Sequence, residues 1–348
     1  MSGSTYHASL LEFRNTSIFT EERQSALIYL GDSLLSWRQS NVEAASFRKW
    51  LDEIDPFLFR RAVRELSDLV FHSYWRRGAS DRMRIAKRAI RKNSDLAFLF
   101  CFDGNGFVRE HAVKTIVGPL QNPFEVIAVL DACNNWVPEI RAQAFKTAMQ
   151  SLPKTSARVM ARAYPFLRVS ASHWKRWQEE EHDEIIRFFT TDDVISCLAE
   201  DIINGKVRSP SKTLGFALEH SGIDQYLPRL FNKAKYVSAR AQALNAMLNK
   251  KAVWKIGYKF EWIDKSLGIR RRVPVFSSRS VRCSVDFAPL VDIALRDKHT
   301  AVRRIAAQAI IDNRSEIEKP ISEYVKLLLA DECSAIRSRG EYLQKHLN

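Results

Sequence analysis

One short phrase recurs along this chain: an apolar residue, then arginine, then small and apolar residues at helical spacing. The clear copies begin at Val108-Arg109, Ile140-Arg141, Ala239-Arg240, Val302-Arg303 and Ile336-Arg337, with a weaker copy at Val207-Arg208. Successive arginines lie 32, 67, 32, 63 and 34 residues apart, which is one or two units of about 33 residues each time. A single helix pair cannot bury its apolar face alone, whereas a stack of pairs can. The period therefore predicts a series of stacked helix pairs.

The segments that precede the phrase also repeat. An apolar helical segment, such as PFEVIAVL or FAPLVDIAL, is followed by a short polar turn and then by the arginine-bearing helix. The turns contain Asp103, Asn134 with Asn135, Asp297 and Asp331. This layout resembles the HEAT-repeat family, in which paired antiparallel helices are joined by a turn carrying Asp and an arginine stands near the start of the second helix. The resemblance covers roughly residues 95–348 and is less clear between residues 155 and 205.

The resemblance implies an all-α fold, a right-handed superhelix of antiparallel helix pairs (a HEAT-like α-solenoid), and a role in binding other macromolecules. Residues 1–94 have helical patterning without the phrase, so we expect an N-terminal helical cap or subdomain there and the repeat solenoid over residues 95–348. In the five clear copies we expect the arginine to bond the Asp or the carbonyls of its turn, because a charge in such a place is usually paired. Those five arginines are therefore not our binding candidates.

Composition is that of a folded helical protein. The 348 residues are 46% hydrophobic and 27% charged, with only 12 glycines and 11 prolines. The five cysteines are widely separated and form no CxxC pair, which argues against a disulfide framework or a cysteine-ligated zinc and favours a reducing compartment. No apolar run approaches the ~20 residues that span a bilayer, and the first residues show no secretory signal pattern. We expect a soluble, cytoplasmic protein.

Positive charge is concentrated in two regions of the chain. The formal net charge is +14, of which residues 61–100 carry +6 and residues 201–285 carry +12, while the remaining segments are balanced or slightly acidic. A merely solubilising charge would not need this concentration. The distribution predicts a polyanionic partner: nucleic acid first, then an acidic protein or a membrane surface.

The first basic cluster is residues 74–92, with eight basic residues and one acidic residue, Asp81. Four of the basic residues follow the i, i+3, i+4, i+7 spacing that places them on one stripe of a helix. Like charges on one stripe weaken a helix slightly. This cost is more easily understood if an anion binds along the stripe. The alternative is that these residues form an ordinary solvated face of the helix. The candidate nucleic-acid-binding residues here are Arg76, Arg77, Arg84, Lys87, Arg88, Arg91 and Lys92.

The second basic cluster interrupts the helical pattern with GIRRRVPVFSSRSVRCSV, residues 268–285. Projecting the period back from Val302 predicts the second helix of a repeat near residue 269, yet Pro274 is incompatible with it. VPVF and RSVRCSV alternate like short strands around Ser277-Ser278. We therefore predict an irregular or hairpin-like basic loop at about residues 266–285, in place of that helix; the alternative is a degenerate repeat with a disordered loop. The candidate residues are Arg270, Arg271, Arg272, Arg279 and Arg282.

The patterns that carry catalysis are missing from the sequence. It contains no GxSxG, HExxH or P-loop and no Cys/His cluster with metal-ligand spacing. DGNGFV at residues 103–108 begins like a calcium loop but lacks the closing ligands, which favours a helix–helix turn. His173 and His182 do not share a helix face, and the acidic run between them is typical of a solvated surface. We expect no catalytic residue, no metal, no cofactor and no small-molecule substrate.

Three functions remain open. The first is a non-catalytic HEAT-like scaffold whose basic surface contacts nucleic-acid phosphates, DNA or RNA, within a larger complex that includes a protein partner. The second is a protein–protein interaction scaffold that docks an acidic partner. The third follows from a resemblance to HEAT-like alkylpurine DNA glycosylases, which use tryptophans and an acidic residue, although no catalytic motif of theirs matches here. A membrane partner is not expected, because no amphipathic anchor is evident. Tryptophans of the suitable type are Trp136, Trp174, Trp177, Trp254 and Trp262.

Overall fold

The computed structural model describes residues 17–35, 41–72, 74–314, 317 and 320–346. Contacts within the chain divide it into two compact units, residues 1–189 and residues 190–348. In the part of the chain that the structure describes, none of the helices has the length and apolar character that crossing a bilayer requires.

The first unit is entirely helical over its described residues. Its helices are α1 (Glu21–Leu35), α2 (Asn41–Glu53), α3 (Phe59–Phe71), α4 (Ala79–Lys92), α5 (Ala97–Phe100), α6 (Gly106–Thr115), α7 (Pro123–Ala132), α8 (Pro138–Ser151), α9 (Ala157–Ser170) and α10 (Glu179–Phe189). Several begin at signals that the sequence carries. Asn122 accepts a hydrogen bond from the Glu125 amide and is followed by Pro123, which together cap and start α7.

The second unit combines helices with one β-hairpin. Its elements are α11 (Asp192–Ile203), α12 (Pro210–Ala217), α13 (Leu227–Lys233), α14 (Val237–Leu248), β1 (Lys251–Asp264), β2 (Ile269–Ser280), α15 (Phe287–Leu295), α16 (Thr300–Asp312), α17 (Ile321–Leu329) and α18 (Ser334–Lys345). The described chain is thus mostly helical, as expected, but it is not all-α.

The repeated phrase is explained by packing. In each clear copy the apolar residue before the arginine is buried, and so is the small residue four positions later: Val108 and Ala112, Ile140 and Ala144, Ala239 and Ala243, Val302 and Ala306, Ile336 and Gly340. These pairs lie on one helix face. The small residue lets the neighbouring helix approach: a Cβ on Gly340 would stand 3.1 Å from Leu328 Cβ. Accordingly α6 packs on α8 in the first unit, and α14, α16 and α18 pack in succession in the second.

The expected role of the phrase arginines is confirmed in four of the five clear copies. In four copies the guanidinium donates to the carbonyl oxygen six residues earlier in its turn, at 2.8–2.9 Å: Arg109 to Asp103, Arg141 to Asn135, Arg303 to Asp297, and Arg337 to Asp331. In the second unit the arginine also pairs with the Asp of the following turn. Arg303 lies 2.7 Å from Asp331, and Arg240 pairs with Asp297.

The structure has a hairpin and no helix at Pro274, as predicted, but the prediction for residues 266–285 is wrong in three respects. VPVF and Ser277-Ser278 lie within a single strand, β2, so the turn of the hairpin falls at residues 265–268 and not at the serines. The partner strand β1 precedes the predicted loop altogether. No helix is replaced either: α14 packs directly on α16, so the 63-residue interval holds one repeat and an inserted hairpin rather than two repeats.

Candidate nucleic-acid interface

The base of the hairpin is anchored by Arg279. Its guanidinium donates twice to the carboxylate of Asp224, at 2.7 and 2.8 Å, and also to the carbonyl oxygens of Leu218 and His220. Asp224 is buried, and its Oδ2 accepts a further bond from the Arg282 amide at 2.8 Å. Arg279 was a candidate for binding nucleic acid, but the structure pairs its charge with the buried Asp224 and so fixes the hairpin to the helices.

The register of the hairpin sorts its side chains onto two faces. Tyr258 opposes Pro274, Phe260 opposes Arg272, and Trp262 opposes Arg270. Opposed residues of an antiparallel pair share a face, and successive residues alternate between faces. One face therefore carries three aromatic residues and two arginines. We name this set the aromatic–arginine face: Tyr258, Phe260, Trp262, Arg270 and Arg272.

Rings and guanidiniums alternate along the aromatic–arginine face. The Arg272 guanidinium carbon lies 3.7 Å from the centroid of the Tyr258 ring, and that of Arg270 lies 4.4 Å from the centroid of Phe260. The three rings remain 46%, 59% and 54% exposed in the order Tyr258, Phe260, Trp262. A guanidinium stacked on a ring keeps its N–H donors at its edge, where they can meet an oxyanion. The face thus offers oriented cations between exposed rings.

The opposite face of the hairpin has its charges paired internally. Arg271 opposes Glu261 and lies 3.0 Å from its carboxylate, and Lys259 lies at the same distance on the same strand. Hydrogen bonds from Lys259 and Arg271 lower the pKa of Glu261. Within the residues that the structure describes, Arg270 and Arg272 have no such carboxylate. The three consecutive arginines are therefore not equivalent.

Lys255 extends the positive character of the aromatic–arginine face toward its base. Its Nζ donates to the Tyr258 hydroxyl at 2.8 Å and lies 4.4 Å from the ring centroid. This hydrogen bond, the charge of Lys255 and the more distant charges of Arg272 and Lys212 lower the pKa of Tyr258. The Tyr258 phenol therefore lies among three positively charged side chains.

The first basic cluster forms a groove in the first unit. The four residues of the predicted stripe, Arg84, Lys87, Arg88 and Arg91, line a cavity of about 940 Å³ between α4 and α6. Two of them also have protein partners: Arg84 pairs with Asp81 at 2.9 Å, and Arg88 donates to the Leu34 carbonyl at 2.6 Å.

The other candidates of this cluster lie outside the lining of that groove. Arg76 and Arg77 are exposed just before α4, and Arg76 approaches His72 at 3.4 Å. Lys92 is exposed at the end of α4. The structure therefore brings together four of the seven cationic candidates in residues 74–92.

No family model and no curated protein matches this chain.

The residues that resembled a calcium loop serve a helix start instead. Asp103 is buried and accepts a hydrogen bond from the Asn105 amide at 2.6 Å, while Asn105 accepts one from the Phe107 amide at 3.0 Å and caps α6. The suggestion of a helix–helix turn is confirmed. Within the described residues no group of three or more His, Cys, Asp or Glu side chains is placed to hold a metal ion.

Sequence reasoning missed the aromatic half of the candidate interface. The prediction covered only the arginine-rich stretch and did not include β1. In β1, YKFEWI alternates aromatic and charged residues with the period of a strand. This alternation can be recognised from the sequence alone. The pairing that brings Arg270 and Arg272 onto the same face as those rings, and Arg271 onto the other, depends on the register and on the bulges at Ile256 and Ile263.

Proposed function

We propose that this chain is a non-catalytic HEAT-like protein, a superhelix of antiparallel helix pairs, that binds single-stranded nucleic acid through the aromatic–arginine face within a larger assembly. One observation carries the proposal: Arg270 and Arg272 are held over aromatic rings, while the adjacent Arg271 is paired with Glu261. Guanidiniums oriented in this way contact phosphates, and exposed rings stack bases.

The spacing of the rings supports a single strand rather than a duplex. Alternate residues of a β-strand lie about 6.6–6.8 Å apart, a repeat comparable to that of successive nucleotides in an extended single strand. In a duplex the neighbouring base pairs cover the base faces, so a ring cannot stack without disrupting them. The basic groove on α4, in the first unit, is a separate candidate for phosphate contacts.

A second candidate function is the docking of an acidic protein. The tip of the hairpin exposes Ile263, Leu267 and Ile269, which are more apolar than phosphate binding requires. A protein partner with an apolar recess bordered by carboxylates would cover this tip and bind the same arginines.

The test compares three single variants that each remove one positive charge: Arg270→Ala, Arg272→Ala and Arg271→Ala. Affinity for a fluorescent single-stranded oligonucleotide is measured by anisotropy over a series of salt concentrations. Each lost phosphate contact lowers the slope of log affinity against log salt by about 0.7. We expect that decrease for Arg270→Ala and Arg272→Ala and no change for Arg271→Ala. Equal effects of all three variants, or no binding by the wild type at low salt, would refute the proposal.

A further inference from the structure

A groove lies in the second unit where the hairpin meets the helices. It has a volume of about 600 Å³ and is bounded by α12, α14 and the first residues of the hairpin. Its walls combine aromatic rings with two lysines and an amide. The lining includes Phe216, Phe276, Lys212, Lys255 and Gln242.

The groove continues the aromatic–arginine face. Lys255 opposes Phe276 in the hairpin, and the bulge at Ile256 returns both to the face that carries Tyr258. The hydrogen bond from Lys255 to the Tyr258 hydroxyl joins the last ring of the face to the rim of the groove. A strand lying along the face would therefore reach the groove at its Tyr258 end.

The polar groups of the groove are arranged around an apolar interior. Ser211 donates to Gln242 Oε1 at 3.0 Å, which fixes the amide and leaves its Nε2 as a donor. Gly215 lies beside that nitrogen: a Cβ added there would stand 3.6 Å from Nε2, an ordinary contact. The Lys212 Nζ lies 5.9 Å from the centroid of Phe216, so one ring and one ammonium stand side by side.

We infer that this groove binds one nucleotide of the strand, with the base between Phe216 and Phe276 and the phosphate beside Lys212 and Lys255. An apolar cavity with a few convergent polar groups is the usual form of a small-ligand site. Every base has an apolar face for stacking and acceptors for an amide N–H, so the site accepts several bases. This inference rests on the proposed function, since the strand is delivered to the groove by the aromatic–arginine face.

Two substitutions of Gly215 test the groove without removing a charge. Gly215→Ala adds a Cβ that makes only ordinary contacts, and Gly215→Leu fills the space beside Gln242. We expect Gly215→Leu to weaken oligonucleotide binding by about tenfold, the effect of one lost stacked base, and to leave the salt slope unchanged. Gly215→Ala should retain wild-type affinity. Lys212→Ala should lower the salt slope by about 0.7. Circular dichroism of each full-length variant checks that the helices are intact.

The outcomes separate the groove from the proposed function. If Gly215→Leu binds the oligonucleotide as well as Gly215→Ala, while Arg270→Ala and Arg272→Ala still reduce the slope, the groove inference is wrong and the proposed function stands. If the wild type binds no oligonucleotide, its binding of adenosine 5′-monophosphate is measured instead. Binding that Gly215→Leu abolishes supports a site for free nucleotides in the groove. An absence of binding overturns the groove inference as well as the proposed function.

Discussion

Arg240 on α14 forms an ion pair with Asp297, 57 residues later, in the turn before α16. The hairpin of residues 251–280 lies between them in the chain but not between the two helices, which pack directly. Arg303 repeats the same contact with Asp331 one repeat further on. The pair thus shows that the hairpin is an insertion between two adjoining repeats.

Replacing Asp297 by Asn should destabilise the second unit. Asn keeps an oxygen that can accept the His299 amide hydrogen bond at the start of α16, so the change removes chiefly the charge facing Arg240. Both side chains are largely buried, and a lost hydrogen bond between charged groups costs about 2 kcal/mol. The measurement is urea unfolding with hydrogen exchange in α14 and α16. Glu261→Gln is the control. It alters the exposed ion pair with Arg271, so it should leave the urea midpoint and the hydrogen exchange in α14 and α16 unchanged.

Replacing Arg279 by Ala should release the hairpin. The buried carboxylate of Asp224 then loses its ion partner, which typically costs about 3–5 kcal/mol. Faster hydrogen exchange in β1 and β2, relative to α16 and α18, is the expected signature. Arg282→Ala is the matched control, because the bond from residue 282 to Asp224 uses the backbone amide. Similar exchange in both variants would show that Arg279 does not anchor the hairpin.

Acid should weaken the second unit through Asp331. The hydrogen bond from Arg303 lowers the pKa of this carboxyl, so its contribution to stability is complete above its unfolded pKa of about 3.9 and disappears as pH falls through the lower folded pKa. The urea midpoint of the wild type should therefore fall steeply below pH 4. In Arg303→Met the decline should be shallower, because the folded and unfolded pKa values then approach each other. Parallel curves for the two proteins would contradict the assignment.

Tyr258 should titrate below the ordinary tyrosine pKa. Lys255 lowers its pKa by donating to the hydroxyl, and Arg272 adds to the effect. Carbon-13 NMR of labelled tyrosines should show this shift and its reduction in Lys255→Met. The phenolate then competes with phosphate for Arg272, so nucleic-acid affinity should fall at a lower alkaline pH in the wild type than in Tyr258→Phe. A Tyr258 that titrates at the ordinary pKa near 10 would exclude the effect.

Much of the helical framework could be predicted because its determinants are local. The buried residue, the arginine and the small residue of each phrase lie within one helix turn or its preceding loop, as Val302, Arg303 and Ala306 illustrate. The error at residues 266–285 came from treating the interval between Arg240 and Arg303 as two periods. Spacing along a chain cannot distinguish a missing repeat from an insertion; the contact between Arg240 and Asp297 does.

The sequence alone is likewise insufficient to predict which single side chains form the candidate interface. The sequence by itself determined that positive charge is concentrated in residues 61–100 and 201–285, that helices repeat, and that Pro274 prevents a helix there. Only the tertiary structure decided which arginines are available: Arg279 is bonded to Asp224, Arg271 to Glu261, and Arg270 and Arg272 lie over aromatic rings. The physical reason is that strand register and long-range pairing assign each charge its neighbours, and those neighbours lie ten to sixty residues away in the chain.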